Sequence, residues 1–251
     1  MKVNALVLGG GESGSELAEK GIKYKGLLEF DGRPMLSYVL EAVRRAPSVE
    51  QIVLVGPQAV LDHDWGEDIV TELGTGTISQ NINAGVSVLD GETPIISLSA
   101  DIPLVTREAV EDFVGRCEQL DGNIYYPLIP RNDVEREFPA TRRTYIHLKE
   151  GQFTGGNLAV FEPAVFLKNK DFAEELYRLR KNPVALARLL GLKYILKFLI
   201  RRLSLNEVEK IVSKLLRANG RAVVTPHATI GFDVDKDQDI QLMRRYAKSS
   251  V

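Results

Sequence analysis

Short apolar runs alternate along this chain with segments whose apolar residues recur at helical spacing. The runs are Val3–Leu8 and residues 51–55, 93–98, 124–128 and 222–225. The helical segments are 35–46, 79–89, 107–117 and 237–247. A strand covered on both faces reads as a continuous apolar run, because neither set of side chains meets water. Alternation with helices therefore predicts a mostly parallel sheet between two helical layers, a three-layer α/β/α architecture of Rossmann-like type. Residues 145–149 and 152–153, joined at Glu150-Gly151, read as a hairpin beside that sheet.

One stretch breaks the alternation. Between residues 168 and 218 the pattern is helical throughout, with thirteen Lys/Arg against five Asp/Glu, a local net charge of +8. The whole chain carries -2, so the remainder is at -10. A single domain over residues 1–251, with a basic helical insertion at about 168–218, is the expected organisation. Inside the insertion, residues 184–200 are apolar on nearly every side of a helix, with Lys193 and Lys197 among its charges and Arg201 and Arg202 directly after it. Such a helix is ordinarily buried, so packing on the domain or capping of a pocket is expected. A subunit interface, giving a homo-oligomer, and a peripheral membrane contact are the alternatives.

Composition narrows the function classes. A chain of 251 residues can bury a substantial core without metals or disulfides, and its overall charge balance gives no reason to expect nucleic-acid binding. The single Cys117 cannot form an internal disulfide, as suits a reducing compartment. The opening residues read directly as a strand rather than as a signal peptide, and no uncharged stretch approaches the roughly 20 residues that span a bilayer. A cytoplasmic location is expected.

The candidate chemistry lies where apolar runs end. Asp101, in LSADIPLV, and Asp233 and Asp235, in GFDVDKDQD, each follow an apolar run. A parallel sheet can bring both turns to one edge, where carboxylates can hold a divalent cation. Thr106 is the better N-cap for the helix after Asp101, which frees that carboxylate for other work. Asp233 and Asp235 alternate on an extended segment and share a face, whereas Asp237 and Asp239 suit the N-terminus of the last helix. The glycine-rich VLGGGESG after the first run can line backbone N–H groups on phosphate oxygens. Gly9, Gly11 and Gly14 formally satisfy the dinucleotide fingerprint, but Gly21 cuts the following helix short.

A longer match favours a different reading. LVLGGGESG followed by KGLLEFDGRPML resembles the start of MobA-like nucleotidyltransferases, which share a fold with sugar-phosphate nucleotidylyltransferases and with glycosyltransferases of the GT-A type. LSADIPLVT resembles the strand-end D-x-P-L motif of that family, and GFDVDKDQDIQL its closing D-x-D segment. The resemblance covers about residues 3–165 and 220–245. It implies a GT-A-type fold and Mg²⁺-dependent transfer of a nucleotidyl group from a nucleoside triphosphate to a phosphorylated small-molecule acceptor, with pyrophosphate released. Lys25 and Asp101 are then the catalytic residues, with Lys23 a neighbour able to compete for the triphosphate. Asp101 with Asp235 or Asp233, in that order of choice, holds Mg²⁺. Leu8, Gly9, Gly10, Gly11, Lys25, Gly76, Thr77 and Asn81 contact the nucleotide.

In the same resemblance Ser79, Gln80, Asn81 and Asn83 are candidate base readers, with helix capping by Thr77 or Ser79 as the alternative. Gly155, Gly156, Asn157 and Arg143 fall on the acceptor side. N-capping is the alternative for Asn157, and Arg142 shares the anion-binding prospect of Arg143. One departure is Glu16, which stands where the family commonly carries an arginine. Two other functions stay open on the sequence: a glycosyltransferase using a nucleotide-sugar, and a non-catalytic nucleotide-binding protein. His63, His147 and His227 show no metal-ligand spacing, and Cys117 reads as a packing residue.

Overall fold

The computed structural model describes residues 1–12, 21–74, 76–139, 141, 143–179 and 191–249. In chain order the strands are β1 (Val3–Leu8), β2 (Glu29–Phe30), β3 (Arg33–Pro34), β4 (Val49–Gly56), β5 (Ile69–Leu73), β6 (Ile95–Ser99), β7 (Ile124–Pro130), β8 (Ile146–Leu148), β9 (Gly151–Gly155), β10 (Leu158–Phe161) and β11 (Gly220–Val224). The described α-helices are α1 (Met35–Arg44), α2 (Gln58–Leu61), α3 (Ile78–Ser87), α4 (Arg107–Glu118), α5 (Arg131–Glu137), α6 (Pro163–Leu179), α7 (Leu192–Leu199), α8 (Leu205–Leu216) and α9 (Asp237–Ser249).

β1 is the spine of the main sheet. It pairs in parallel with β4 on one edge and β6 on the other, and β5 extends the sheet beyond β4. Beyond β6 comes β10, antiparallel to both β6 and β7. The strands β9 and β10 follow one another antiparallel to β7, interrupted at Gly156-Asn157, while β11 pairs with β7 in parallel. The hairpin β8–β9 closes the far end. The antiparallel β10 distinguishes this sheet from the parallel dinucleotide-binding fold that the glycine fingerprint alone would suggest.

The continuous apolar reading of β1 has its reason in two buried faces. Val3, Ala5 and Val7 join a core with Leu36, Val39 and Val43 of α1, Val110, Phe113 and Val114 of α4, and Ile240 and Met243 of α9. Leu6 joins Val53, Val55, Ile95 and Val86 on the other face, with Ile82 of α3 and Phe166 of α6 packed against them. A third cluster puts Leu128 and Phe153 under Leu203, with Tyr194 of α7 and Val208 of α8 alongside. The helix starts follow from capping. Thr77 and Gln80 form a reciprocal capping box on α3, Ser204 and Glu207 do the same on α8, and the Thr106 hydroxyl accepts from Ala109 N at 3.2 Å on α4.

Four sequence expectations need correction. β5 went unrecognised because an edge strand with four of its five positions exposed or half-exposed carries no continuous buried run. Residues 158–161 form a strand, so Asn157 caps no helix; its backbone N–H donates to Ile230 O at 2.8 Å and its carbonyl accepts from Ser99 N at 3.1 Å. The helical stretch begins at Pro163 rather than 168, and α6 lies along α3. Of the apolar segment 184–200, residues 184–190 lie outside the described residues. The described part is not buried all round: Leu196, Leu199 and Ile200 are 54%, 69% and 62% exposed.

Candidate active site

Because β1 pairs with strands on opposite sides, the chain leaves its carboxyl end at a point where the sheet order reverses, the place where a crevice opens in α/β sheets. A cleft of about 1150 Å³ lies there. Leu8, Gly10, Gly11 and Lys25 line it on one side, Gly76, Thr77 and Asn81 on another, and Gly156 and Asn157 on a third. Gly9 turns away: its N–H donates to Val55 O at 2.7 Å, and a β-carbon there would sit 3.2 Å from Leu54 and Val60. Gly14, Glu16 and Lys20 of the glycine-loop region lie outside the described residues, as does Arg142.

The three acidic residues converge beside this cleft, next to Lys25 and Ser99 of its lining. Val234 N donates to the Asp101 carbonyl at 2.9 Å, docking the closing segment against the end of β6. Val234 is fully buried, so Asp233 and Asp235 flank it and turn the other way. Carboxylate oxygens of Asp101, Asp233 and Asp235 come within 4.8 Å of one another. Lys25, held by its backbone N–H on Gly11 O at 3.0 Å, places its ammonium 3.1 Å from Asp101 Oδ2 and in an ion pair with Asp235. The Ser99 hydroxyl donates to Asp101 Oδ1 at 2.5 Å. Arg143 pairs with Asp233 and lies over the Phe232 ring, 5.1 Å from its centroid.

These contacts set the ionisation of the cluster. Burial pushes the Asp233 carboxyl up, and Asp235 adds to that, against the opposing charge of Arg143. Asp235 is held below the usual carboxylate range: burial pushes it up, but the hydrogen bond and charge of Lys25 outweigh that. Lys25 is raised, since its burial is outweighed by Asp101 and Asp235. Three carboxylates against two cations leave a negative excess, and the donors are all hard oxygens. Both properties fit Mg²⁺, which takes one or two carboxylates and fills its other positions with phosphate and water.

The candidate base readers divide. Asn81 is buried and lines the cleft; its Oδ1 accepts from Gly76 N at 3.2 Å. A β-carbon on Gly74 would fall 2.8 Å from that same oxygen and 2.4 Å from Val55, so only glycine fits there. Ser79 turns to α6, donating to Lys170 O at 3.1 Å, and Gln80 is occupied in capping α3. Neither these two nor Asn83 lines the cleft.

On the acceptor side, Gly155 lies beneath Tyr126, whose hydroxyl would be 2.2 Å from an added β-carbon. Arg143 faces Asp233 rather than the cleft. Lys23 lines the cleft, but its ammonium sits over the Tyr24 ring at 5.1 Å. Asp239 accepts from Asp235 N at 3.1 Å and Lys236 N at 2.9 Å, which starts α9 and fixes the backbone of Asp235. His63 stacks beside Trp65, His147 lies in β8 and His227 pairs with Asp112, all away from the cleft. Burial pushes the Cys117 thiol up to about 12, which makes it inert.

Sequence reasoning missed Ser99 and Tyr126. Both line the cleft, and the strand alternation that places Asp101 was the available signal. Ser97 and Ser99 share one face of β6, and the register carries that face across Ala159 of β10 toward Tyr126 of β7.

The fold and site have known counterparts. The MobA-like NTP transferase domain family matches residues 5–195. A bifunctional GlmU protein of Staphylococcus epidermidis is 25% identical over 203 residues, covering 70% of this chain and 44% of its own length, so the chain spans less than half of that relative. A hypothetical transferase from Thermus thermophilus of known structure is 36% identical, with a TM-score of 0.83 over 96% of this chain and 100% of that one. At 12% identity, a CMP:2-keto-3-deoxy-manno-octonic acid synthetase complexed with CTP superposes with a TM-score of 0.63 over the full length of both chains. A 4-diphosphocytidyl-2C-methyl-D-erythritol synthase from Anaerococcus prevotii does so at 0.58 and 12% identity, over 98% of this chain and 96% of that one. These last two likenesses speak to fold alone.

Proposed function

This chain belongs to the MobA-like NTP transferase family and is a nucleotidyltransferase, and from that premise we propose that it transfers a nucleoside monophosphate from an NTP to a phosphorylated small-molecule acceptor. The reading is carried by one observation: Lys25 meets Asp101 and Asp235 where the glycine loop, the Asn81 loop and Asn157 line a common cleft. In the proposed reaction an oxygen of the acceptor phosphate attacks the α-phosphorus of the NTP. A new P–O bond forms there, the bond to the bridging oxygen of the β-phosphate breaks, and pyrophosphate leaves with the electron pair.

The protein's part is positioning and charge. Backbone N–H groups at Gly10 and Gly11 are unencumbered by side chains and suit the phosphate oxygens. The ammonium of Lys25 is a compact charge on a flexible stem, able to move from a carboxylate to a phosphate oxygen. Asp101, with Asp235 and Asp233, would hold Mg²⁺; when bound, the ion neutralises charge on the phosphates. Ser99 fixes one oxygen of Asp101, and Arg143 balances Asp233. Asn157, which lines the cleft just before β10, is the side chain assigned to the acceptor. No side-chain nucleophile is needed, because in-line transfer relies on orientation and electrostatic stabilisation. A cytoplasmic setting belongs to the same proposal, since NTPs are its substrate and the lone thiol is buried.

The test is a screen of the four common NTPs against phosphorylated sugars, polyols and pterins, read as pyrophosphate release. CTP heads the nucleotides because structural neighbours handle cytidine compounds. Asp101→Ala lowers turnover by about 10²–10³-fold, the scale of losing a preorganised electrostatic group. Lys25→Ala raises KM for the NTP. Full activity in either variant removes that residue from the mechanism, and NTP binding without turnover across the panel overturns the transfer reading.

A further inference from the structure

The apolar end of α7 is the part of the surface that neither the cleft nor the core accounts for. Tyr194 turns inward to the cluster under Leu203, and the Lys197 ammonium reaches Glu207 of α8 at 2.5 Å, which fixes how the helix lies on the domain. The outward positions are then Lys193, Leu196, Leu199 and Ile200. Leu196, Leu199 and Ile200 are related by three- and four-residue steps and share one face, with Lys193 a turn earlier on the same side. Phe198, 42% exposed, extends the apolar surface around the helix end.

The chain stops this helix in a specific way. Arg201 takes φ 55°, the left-handed region that a non-glycine residue enters at a cost, and Arg202 N closes the helix on Lys197 O at 2.7 Å. The break leaves the apolar residues at an exposed helix end and sets two exposed arginines beside them. Among the described residues no ion pair engages Lys193, Arg201 or Arg202. They stand in a segment with a net charge of +8, on a chain that is otherwise acidic.

Apolar side chains projecting from a basic rim match a surface that is itself apolar beneath a negatively charged layer. We propose that α7 and the Arg201-Arg202 turn form a docking site for an anionic lipid surface, with Leu196, Leu199 and Ile200 entering the acyl boundary and Lys193, Arg201 and Arg202 meeting the headgroups. No helix among the described residues is long and apolar enough to cross a membrane, so the contact is peripheral. A second copy of this chain fits less well, because an isologous contact would set these basic residues against each other. The proposal is independent of the nucleotidyl-transfer reading, and its test needs no substrate.

The full-length protein is sedimented with vesicles of phosphatidylcholine alone and with vesicles containing phosphatidylglycerol, at low and high salt. Binding to the anionic vesicles at low salt, with about tenfold or greater loss in high salt, is expected, since screening weakens headgroup attraction. Leu199→Ser with Ile200→Ser, and separately Arg201→Glu with Arg202→Glu, each lower the partition coefficient about tenfold while thermal melting is retained. If a variant fails to fold, the lipid and salt dependence of the wild-type protein still decides. Failure to bind anionic vesicles at low salt overturns the proposal, as does equal binding to neutral ones. Light scattering that shows a dimer dispersed by Leu199→Ser, without vesicle binding, assigns the face to a second copy instead.

Discussion

Asp101 offers its two oxygens to different partners: Oδ1 accepts from the Ser99 hydroxyl, and Oδ2 faces Lys25. A carboxylate anchored on one side presents the other in a fixed direction, the arrangement that orients metal-holding groups. Ser99→Ala is therefore expected to raise the Mg²⁺ concentration for half-maximal turnover about tenfold, and to weaken Mn²⁺ binding by calorimetry by a similar factor. Ser99→Thr keeps the hydroxyl and restores both; unchanged Mn²⁺ affinity in the alanine variant would show that the hydroxyl does not position Asp101. The placement of Asp101 at the end of β6, near Asp233 and Asp235, was legible in the sequence, because an apolar run that stops at Asp and Pro delivers the carboxylate to the sheet edge. Ser99 was hidden inside that run. The choice between Asp233 and Asp235 stayed open on sequence because alternation puts both on one face. The fold separates them by partner, Arg143 for the first and Lys25 for the second, across 90 and 210 residues of chain. Pairings at that separation have no local signature.

At the scale of elements, α3 carries the tightest test of how the cleft is built. It lies so close to β1 that a β-carbon on Gly85 would be 2.2 Å from Leu6 Cδ1 and 3.0 Å from Val55 Cγ2. Helix propensity alone makes Ala better than Gly by about 1 kcal/mol. Overpacking in a closed core costs about 1–3 kcal/mol, and here the overlap is deep, so packing wins. Gly85→Ala should lower stability by about 1–2 kcal/mol in urea unfolding, and by weakening the seat of the Asn81 loop it should also raise KM for the nucleotide. A more stable variant would mean that α3 can lift from the sheet. Elements with two buried faces or a strong cap were readable in advance: β1, β4, β6, α1 and α4 lie close to their expected spans. Those defined by what they pair with were not. β5 lacks an apolar run, and β10 follows two glycines and an asparagine that read locally as a helix start.

For the whole molecule, the cleft matters because its walls come from distant parts of the chain. Leu8 and Lys25, the Asn81 loop, the end of β6 and Asn157 meet there, and Asp235 stands behind Lys25 in an ion pair with it. A ligand that touches all of them ties the two ends of the sheet sequence together and binds only the folded state. Linkage then sets the size of the effect: at about 100 times its Kd such a ligand stabilises by about 2.7 kcal/mol. For a chain of this length each kcal/mol moves Tm by about 2–4 °C, so the expected rise is about 5–10 °C. The cluster's own electrostatics say which combination achieves it. An NTP alone brings its negative charge toward carboxylates already in excess, whereas NTP with Mg²⁺ brings compensation, so the pair should raise Tm by more than the sum of the two separate shifts. Asp101→Ala should remove the extra, cooperative part and leave the smaller NTP shift, while Lys25→Ala should reduce the NTP shift itself. Differential scanning calorimetry of the three proteins with each ligand separates these outcomes. Strictly additive shifts in the wild-type protein would mean that cation and triphosphate occupy separate places, and that the cluster of Asp101, Asp233 and Asp235 beside the cleft is not where they meet.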